Sequence, residues 1–143
     1  MNPNKANTGV LEDFKVNVKI KLSALWVSVM FCYVYGDYFE FFVPGHIGHL
    51  IDGKMILDTP VKLFAASILM AIPAIMVFLS VMLKPKLNRW LNIIFGLFYT
   101  GIMILTIVNS IDLWHAFYIF LGIVEILITS LIVWTAWRWP KQK

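Results

Sequence analysis

Residues 114–137 read WHAFYIFLGIVEILITSLIVWTAW, a run in which Glu125 is the only Asp, Glu, Lys or Arg side chain. A helix needs about 20 consecutive apolar residues to cross a bilayer, so this run is long enough to span a membrane. A carboxylate at the bilayer centre costs about 2.5–3.5 kcal/mol on insertion scales, and such residues usually face a bundle interior or a wet cavity. The stretch therefore predicts a membrane protein and singles out Glu125.

The composition of the whole chain agrees with a membrane protein. Its 143 residues are 60% hydrophobic and only 14% charged, with a mean hydropathy of +0.80. A soluble domain is about half apolar and a quarter charged, so lipid is the expected solvent. The net charge of +4 does not indicate a nucleic-acid partner, because the basic residues lie at the ends of the apolar runs. A single cysteine, Cys32, excludes an intramolecular disulfide.

The apolar runs predict four spans and an all-α fold. The chain divides into a polar, interfacial N-terminal segment (1–21), a four-helix membrane domain (22–139) and a basic tail (140–143), with the spans at 22–43, 61–83, 91–109 and 114–137. Because the connections 84–89 and 110–113 are short, we expect the last three spans to be antiparallel neighbours in a four-transmembrane-helix antiparallel bundle.

Three shorter segments carry local predictions. FKVNVKIKL (14–22) alternates apolar and polar residues, which is compatible with a strand, but we favour an interfacial helical turn that leads into the first span. The first connection, 44–60, is semi-apolar, and we expect it to hold a short helix. Thr59 followed by Pro60 predicts the start of the second span, with a capping residue and a proline in the first turn.

The basic residues predict the orientation. Ten of the 12 Lys and Arg residues fall in the N-terminus, the second connection and the C-terminus. Only Lys54 in the first connection and Lys62 at the start of the second span lie on the other side. Cytoplasmic loops carry the excess of positive charge, so both termini are expected to be cytoplasmic. The chain is accordingly expected to be a multi-pass membrane protein.

Three carboxylates are the candidate proton-binding residues of a cavity: Asp37, Glu40 and Glu125. Asp37 lies 16 residues after Lys21 and Glu125 lies 13 residues before Arg138, which places them about 24 and 20 Å from the same interface at 1.5 Å per residue. Glu40 is one turn further out. Apart from Lys62 in the first turn of the second span, no Lys or Arg lies within the spans to neutralise them, so we expect at least one of these carboxyl groups to carry a proton at neutral pH.

Helical spacing places further polar residues on stripes that would line this cavity. The predicted lining residues are Tyr33, Tyr99, Thr106, His115, Tyr118 and Thr129. In the second span the predicted inward face is small and adaptable, with Ser67, Met70 and Ala74. The structural alternative stays open: a protonated Glu125 that bonds a carbonyl or Tyr99 would simply lock helices together.

A transition-metal site at the outer surface is a weaker hypothesis, and no cofactor is our main expectation. His46, His49 and Asp52 are spaced three residues apart, so a helical loop would place them on one face. HxxH alone is a weak signal, and no cysteine contributes to it. Histidines of a pH-sensing lid are a second interpretation.

Three segments carry a resemblance to a known family: KLSALWVSVMFCYVYGDYFEFFVPG (21–45), IPAIMVFLSVMLKPKLNRWLNIIFG (72–96) and YIFLGIVEILITSLIVWTAWRWP (118–140). Together they resemble a family of small four-helix bacterial integral membrane proteins of unknown function, distantly similar to the DoxX-like group in size and layout. Members often carry Glu just before the Ile-Pro of the second span, where this chain has Ala71. The resemblance implies the fold and the bacterial inner membrane, and no activity.

Three functions fit these observations. The first is a small proton-linked carrier or ligand-binding protein, acting as a homo-oligomer in the lipid bilayer on a small organic or cationic ligand. The second is an accessory or assembly membrane protein without a small-molecule site. The third is a membrane-embedded enzyme on a lipophilic substrate, with carboxylates and tyrosines as acid and base. No nucleophile elbow or HExxH motif supports an enzyme, so we regard catalysis as the less favoured interpretation.

Overall fold

The computed structural model describes residues 14–53 and 57–140, and within them it contains helices and no strand. The α-helices are α1 (Val18–Glu40), α2 (His46–Ile51), α3 (Pro60–Met82), α4 (Pro85–Asn109) and α5 (Ala116–Trp137). A 3₁₀ turn, Leu113–His115, leads directly into α5. Four helical segments, namely α1, α3, α4 and α5 with its preceding turn, are long and apolar enough to cross a membrane. The prediction of an all-helical fold is therefore confirmed for the described residues, and four helices have the length and composition that the four predicted spans require.

Local capping sets where the helices begin. The Asn17 side chain accepts a hydrogen bond of 2.9 Å from the backbone N–H of Lys19 and caps α1. The Thr59 hydroxyl accepts from the backbone N–H of Lys62, and Pro60 is the first residue of α3, as its cap and proline predicted. Residues 14–17 have no regular structure, so the helical turn expected in this segment begins only at Val18.

The second connection differs most from its prediction. Because α4 starts at Pro85 with Lys84 as its capping residue, only Leu83 and Lys84 separate it from α3. Proline is favoured in the first turn of a helix, so the polar stretch 85–90 extends the span instead of forming a loop. Because these first residues of α4 are polar, hydropathy alone does not identify them as part of the helix. In the first connection, the short helix expected there is confirmed as α2.

The helices do not all pack on their neighbours in sequence. α1 packs against both α3 and α5, and α5 packs against α4, whereas α3 and α4 make few contacts. The backbones of Leu83 and Lys84 are extended and turn the chain between these two helices. Away from the connection, the long side chain of Tyr99 reaches across, and its hydroxyl donates to the Leu69 carbonyl at 2.6 Å.

The predicted inward face of the second span is wrong at two of its three residues. Ser67 and Ala74 are exposed and Met70 is half-buried, while Pro73, Met76 and Ser80 form the buried face of α3. The Ser67 hydroxyl donates to a carbonyl one turn earlier in its own helix, at 2.9 Å, so it is satisfied without any partner in the bundle. A serine in a membrane helix can bond its own backbone, and its presence therefore does not identify the packed face.

A fully buried polar cluster joins three of the long helices at one end of the bundle. The indole N–H of Trp26 on α1 donates to Asn92 Oδ1 on α4 at 2.7 Å, and the hydroxyl of Ser80 on α3 lies 3.3 Å from the same oxygen. The Asn92 amide donates to Asn88 Oδ1 at 2.7 Å, and the Asn88 amide donates to the Ser80 carbonyl at 2.6 Å. These four side chains are completely buried and hold α1, α3 and α4 in register.

Candidate functional site

Glu125 lies at the middle of α5, with only 1% of its surface exposed. The Tyr33 hydroxyl on α1 donates a hydrogen bond of 2.6 Å to Glu125 Oε1. This bond joins two helices that pack directly against each other. No Lys or Arg of residues 14–53 and 57–140 forms an ion pair with Glu125, so the tyrosine hydroxyl is the polar side chain that meets it.

A small cavity of about 20 Å³ adjoins this pair. Its walls come from α1, α4 and α5, and the lining residues are Cys32, Tyr33, Gly36, Asp37, Met103, Tyr118, Leu121, Gly122 and Glu125. A space of this size holds about one water molecule. In this conformation the cavity therefore has room for about one water molecule, and it is too small for an organic ligand.

The structure brings Asp37 and Glu125 to the same cavity, but the two carboxylates differ in their surroundings. Asp37 lines the cavity and is also exposed on the outside of the bundle, in the last turn of α1. Glu125 is enclosed by protein. Glu40, which ends α1, does not line the cavity.

Glu40 instead forms a second cluster one helical turn further along, with two histidines. Its Oε1 atom lies 3.4 Å from His46 Nδ1 at the start of α2 and 3.4 Å from His115 Nε2 before α5. His115 Nδ1 is buried without a hydrogen-bond partner, and Asp112 Oδ2 lies 3.5 Å from it. Since Glu40 follows Asp37 by three residues and His115 precedes Tyr118 by three, this cluster stands one turn from the cavity.

The other predicted lining residues lie away from the cavity. Tyr99 is fully buried, but its hydroxyl is used by the Leu69 carbonyl, so it is not the partner of Glu125 that the sequence left open. Thr106 donates to the Ile102 carbonyl of its own helix, at 2.9 Å. Thr129 is buried between α5 and α4, and it forms a hydrogen bond of 2.7 Å with Thr100.

The residues of the metal hypothesis do not converge on one point. His46 faces Glu40, whereas His49 and Asp52 are exposed on α2 and just after it. Within the described ranges, no group of three or more His, Cys, Asp or Glu side chains is arranged to hold a metal ion. A short helix places His46 and His49 one turn apart, but the first side chain turns towards the bundle and the second does not.

Sequence reasoning missed three wall residues of the cavity as functional candidates: Cys32, Gly36 and Leu121. Cys32 immediately precedes Tyr33, so it was one position off the predicted stripe, and its apolar character gave no signal. Gly122 is required for the close packing of α4 on α5, because a Cβ atom there would lie 2.8 Å from Ile107 Cδ1 and 2.9 Å from Met103 Sδ. The absence of a side chain lets α4 approach α5 beside Glu125.

The chain matches the sequence model of one protein family over residues 10–143, and that family is described as a family of unknown function, DUF6326. No curated protein and no solved structure matches the chain. The likeness to the DoxX-like group in layout therefore stays a prediction.

Proposed function

The chain belongs to this family of unknown function, and we propose that it is a small proton-linked carrier or ligand-binding membrane protein. Its proton-binding group is Glu125. The observation that carries the proposal is the enclosed Glu125 carboxyl, which has a tyrosine hydroxyl and no basic side chain as its partner and adjoins a cavity shared with Asp37. Ionisable residues at membrane depth typically mark ion pathways and proton relays.

The titratable groups form a series from the centre of the bundle towards one end. Glu125 and Asp37 share the cavity wall with Tyr118, and Glu40 with its two histidines follows one turn further. A water in the cavity would bring Glu125 into hydrogen-bond contact with the groups nearer the end. We infer that a proton enters at Glu40, passes by Asp37 and rests on Glu125.

The size of the cavity limits what else is bound. Because the space holds about one water molecule, a small organic cation requires either opening of the α1–α5 contact or a second copy of the chain. We propose a homo-oligomer in which the exposed Asp37 contributes to a cation path between copies. Aromatic rings near Asp37, such as Tyr38 and Phe39, suit an organic cation.

We propose that the four spans run antiparallel in the bacterial inner membrane, with both termini in the cytoplasm. The basis is the excess of Lys and Arg in the two termini and the second connection. At the other end of the bundle, the described residue Lys62 forms an ion pair with Asp58, with 2.6 Å between Nζ and Oδ1. In this orientation the Glu40 cluster faces the outside, where a proton gradient delivers protons.

Infrared difference spectroscopy of the protein in vesicles tests the proton-binding role. The C=O stretch of a protonated carboxyl group is followed between about pH 4 and pH 9, a range that covers perturbed carboxyl groups. We expect a band that appears and disappears with pH in the wild type and is lost in Glu125→Gln. The matched control, Asp58→Asn, removes an exposed carboxylate and should keep the band.

An unchanged band in a folded Glu125→Gln variant would overturn the proposal. The carrier step is measured separately, with a pH-sensitive dye inside the vesicles and a panel of organic cations outside. A cation-dependent proton flux that is lost in Glu125→Gln and kept in Asp58→Asn supports a carrier. The same flux in both variants excludes Glu125 from it.

The accessory function is the second candidate, and one observation favours it. The Tyr33–Glu125 bond already satisfies the glutamate and joins α1 to α5, which is what a purely structural residue would do. In that case Glu125→Gln keeps an acceptor for Tyr33, keeps the fold and changes no pH response. The infrared experiment therefore separates the two candidates.

A further inference from the structure

The end of the bundle opposite the Glu40 cluster carries a groove lined by basic side chains. Two adjoining pockets form it. One, of about 240 Å³, is lined by Pro85, Lys86, Arg89, Trp90, Trp139 and Pro140. The other, of about 580 Å³, shares Pro85, Trp139 and Pro140 and adds the segment 15–19, with Lys15 and Lys19. We call these two pockets together the basic groove.

Among the described residues, the groove is lined by cations and by no carboxylate. Neither lining set includes Asp or Glu, and every ion pair found in residues 14–53 and 57–140 involves cations or histidines elsewhere. Lys19 Nζ donates to the Val81 carbonyl at 3.1 Å, which holds its charge beside the groove. A concave surface lined by one sign of charge attracts the opposite sign.

Arg89 shows most directly that an acceptor is missing. Its Nε atom is buried and has no hydrogen-bond partner, and its guanidinium lies 5.8 Å from the centre of the Trp137 ring. A buried donor without an acceptor is destabilising, and an acceptor bound in the adjoining groove would remove this cost for Arg89. Arginine presents a planar fork of donors that matches a phosphate group.

The surroundings favour a lipid as the source of this phosphate. Trp90, Trp137 and Leu87 are more than half exposed next to the groove, at the end of helices that span the membrane. Tryptophan at helix ends lies at the level of lipid headgroups. Basic pockets between transmembrane helices at one membrane face bind anionic headgroups.

We propose that the basic groove binds the phosphate of an anionic phospholipid, with Arg89 and Lys86 as its principal ligands. The acyl chains of the bound lipid lie against the exposed apolar face of the first turns of α4. The bound lipid bridges the start of α4 to the segment before α1 and to the residues after α5, and it satisfies Arg89. This site is independent of Glu125 and of the proposed proton-linked function.

Native mass spectrometry of the full chain tests the site. The protein is equilibrated in detergent with equal amounts of phosphatidylglycerol and phosphatidylcholine, and the ratio of the two bound lipids is measured. Each Lys or Arg next to an anionic headgroup changes the affinity about fivefold. We therefore expect Lys86→Gln/Arg89→Gln to lower the ratio by about 25-fold. Lys62→Gln, at the other end of the bundle, should leave it unchanged.

Two further measurements test whether the groove recognises a lipid phosphate. Arg89→Lys retains a charge but loses the fork, and we expect it to fold and to keep a ratio above that of the double variant. Inorganic phosphate is then added at the same concentration as the lipid. If it displaces phosphatidylglycerol at this concentration, the groove prefers a free anion and the lipid proposal is overturned. An unchanged lipid ratio in folded Lys86→Gln/Arg89→Gln overturns it as well.

Discussion

Tyr33 on α1 and Glu125 on α5 are joined by a hydrogen bond of 2.6 Å, although 92 positions separate them in the chain. Both residues line the cavity, and Glu125 lies midway along α5. Through this bond, a polar side chain of α1 contacts Glu125 on α5 directly. Whatever Glu125 does in function, its geometry is set by Tyr33.

We predict that Tyr33 and Glu125 are coupled in stability. Tyr33→Phe removes the donor and should lower the free energy of unfolding by about 0.6–1.7 kcal/mol, the range for interhelical hydrogen bonds in membranes. Glu125→Leu should cost more, because it leaves a buried hydroxyl without its acceptor. Denaturant titration in micelles of both single variants and the double variant measures the coupling. Strictly additive losses would show that the bond contributes nothing.

The buried cluster around Asn92 should be more sensitive to substitution than any exposed polar group. Asn92→Leu removes the acceptor of the Trp26 indole and the amide that donates to Asn88, so we expect a loss of about 2–3 kcal/mol. Asn109→Leu is the matched control, since Asn109 is exposed and bonds only its own helix. Thermal unfolding in detergent compares the two. Equal midpoints would contradict a structural role for the cluster.

Substitution by alanine should change the stability of the protein differently at two glycines of α4. A Cβ atom at Gly96 would lie 2.7 Å from Val133 Cγ2, and valine is stiff, so Gly96→Ala should destabilise the protein by about 1–3 kcal/mol. Gly101 has open space around it, so Gly101→Ala should be neutral or stabilise the helix by up to about 1 kcal/mol. The same unfolding measurement applies. Val133→Ala combined with Gly96→Ala should recover part of the loss, and no recovery would place the clash elsewhere.

The proposed orientation predicts opposite accessibility for two lysine positions. On a Cys32→Ser background, which removes the one cysteine, Lys62→Cys should react with an impermeant maleimide added outside intact cells. Lys86→Cys should react only after the membrane is opened, because the second connection is expected in the cytoplasm. Both lysines are exposed at the starts of α3 and α4, so access is comparable. The reverse pattern would invert the topology and place the Glu40 cluster inside.

The sequence by itself determined the properties that depend on local order and on average hydropathy. The four spans follow from run length, the start of α3 follows from Thr59 and Pro60, and the short α2 follows from a semi-apolar connection. Sequence spacing also singled out Glu125 and Asp37 as candidate cavity residues, because carboxylates are rare in apolar runs. These features require no knowledge of how the helices are rotated or which of them touch.

Only the tertiary structure decided which side chains meet. It selected Tyr33 over Tyr99 as the partner of Glu125, turned Pro73 and Ser80 of α3 inward, and separated Glu40 from the cavity. The physical reason is that lipid solvates an apolar helix face as well as a neighbouring helix does, so hydropathy does not mark the packed face. Helix rotation is set instead by close approach at Gly96 and Gly122 and by long-range hydrogen bonds, and these exist only once the bundle has formed.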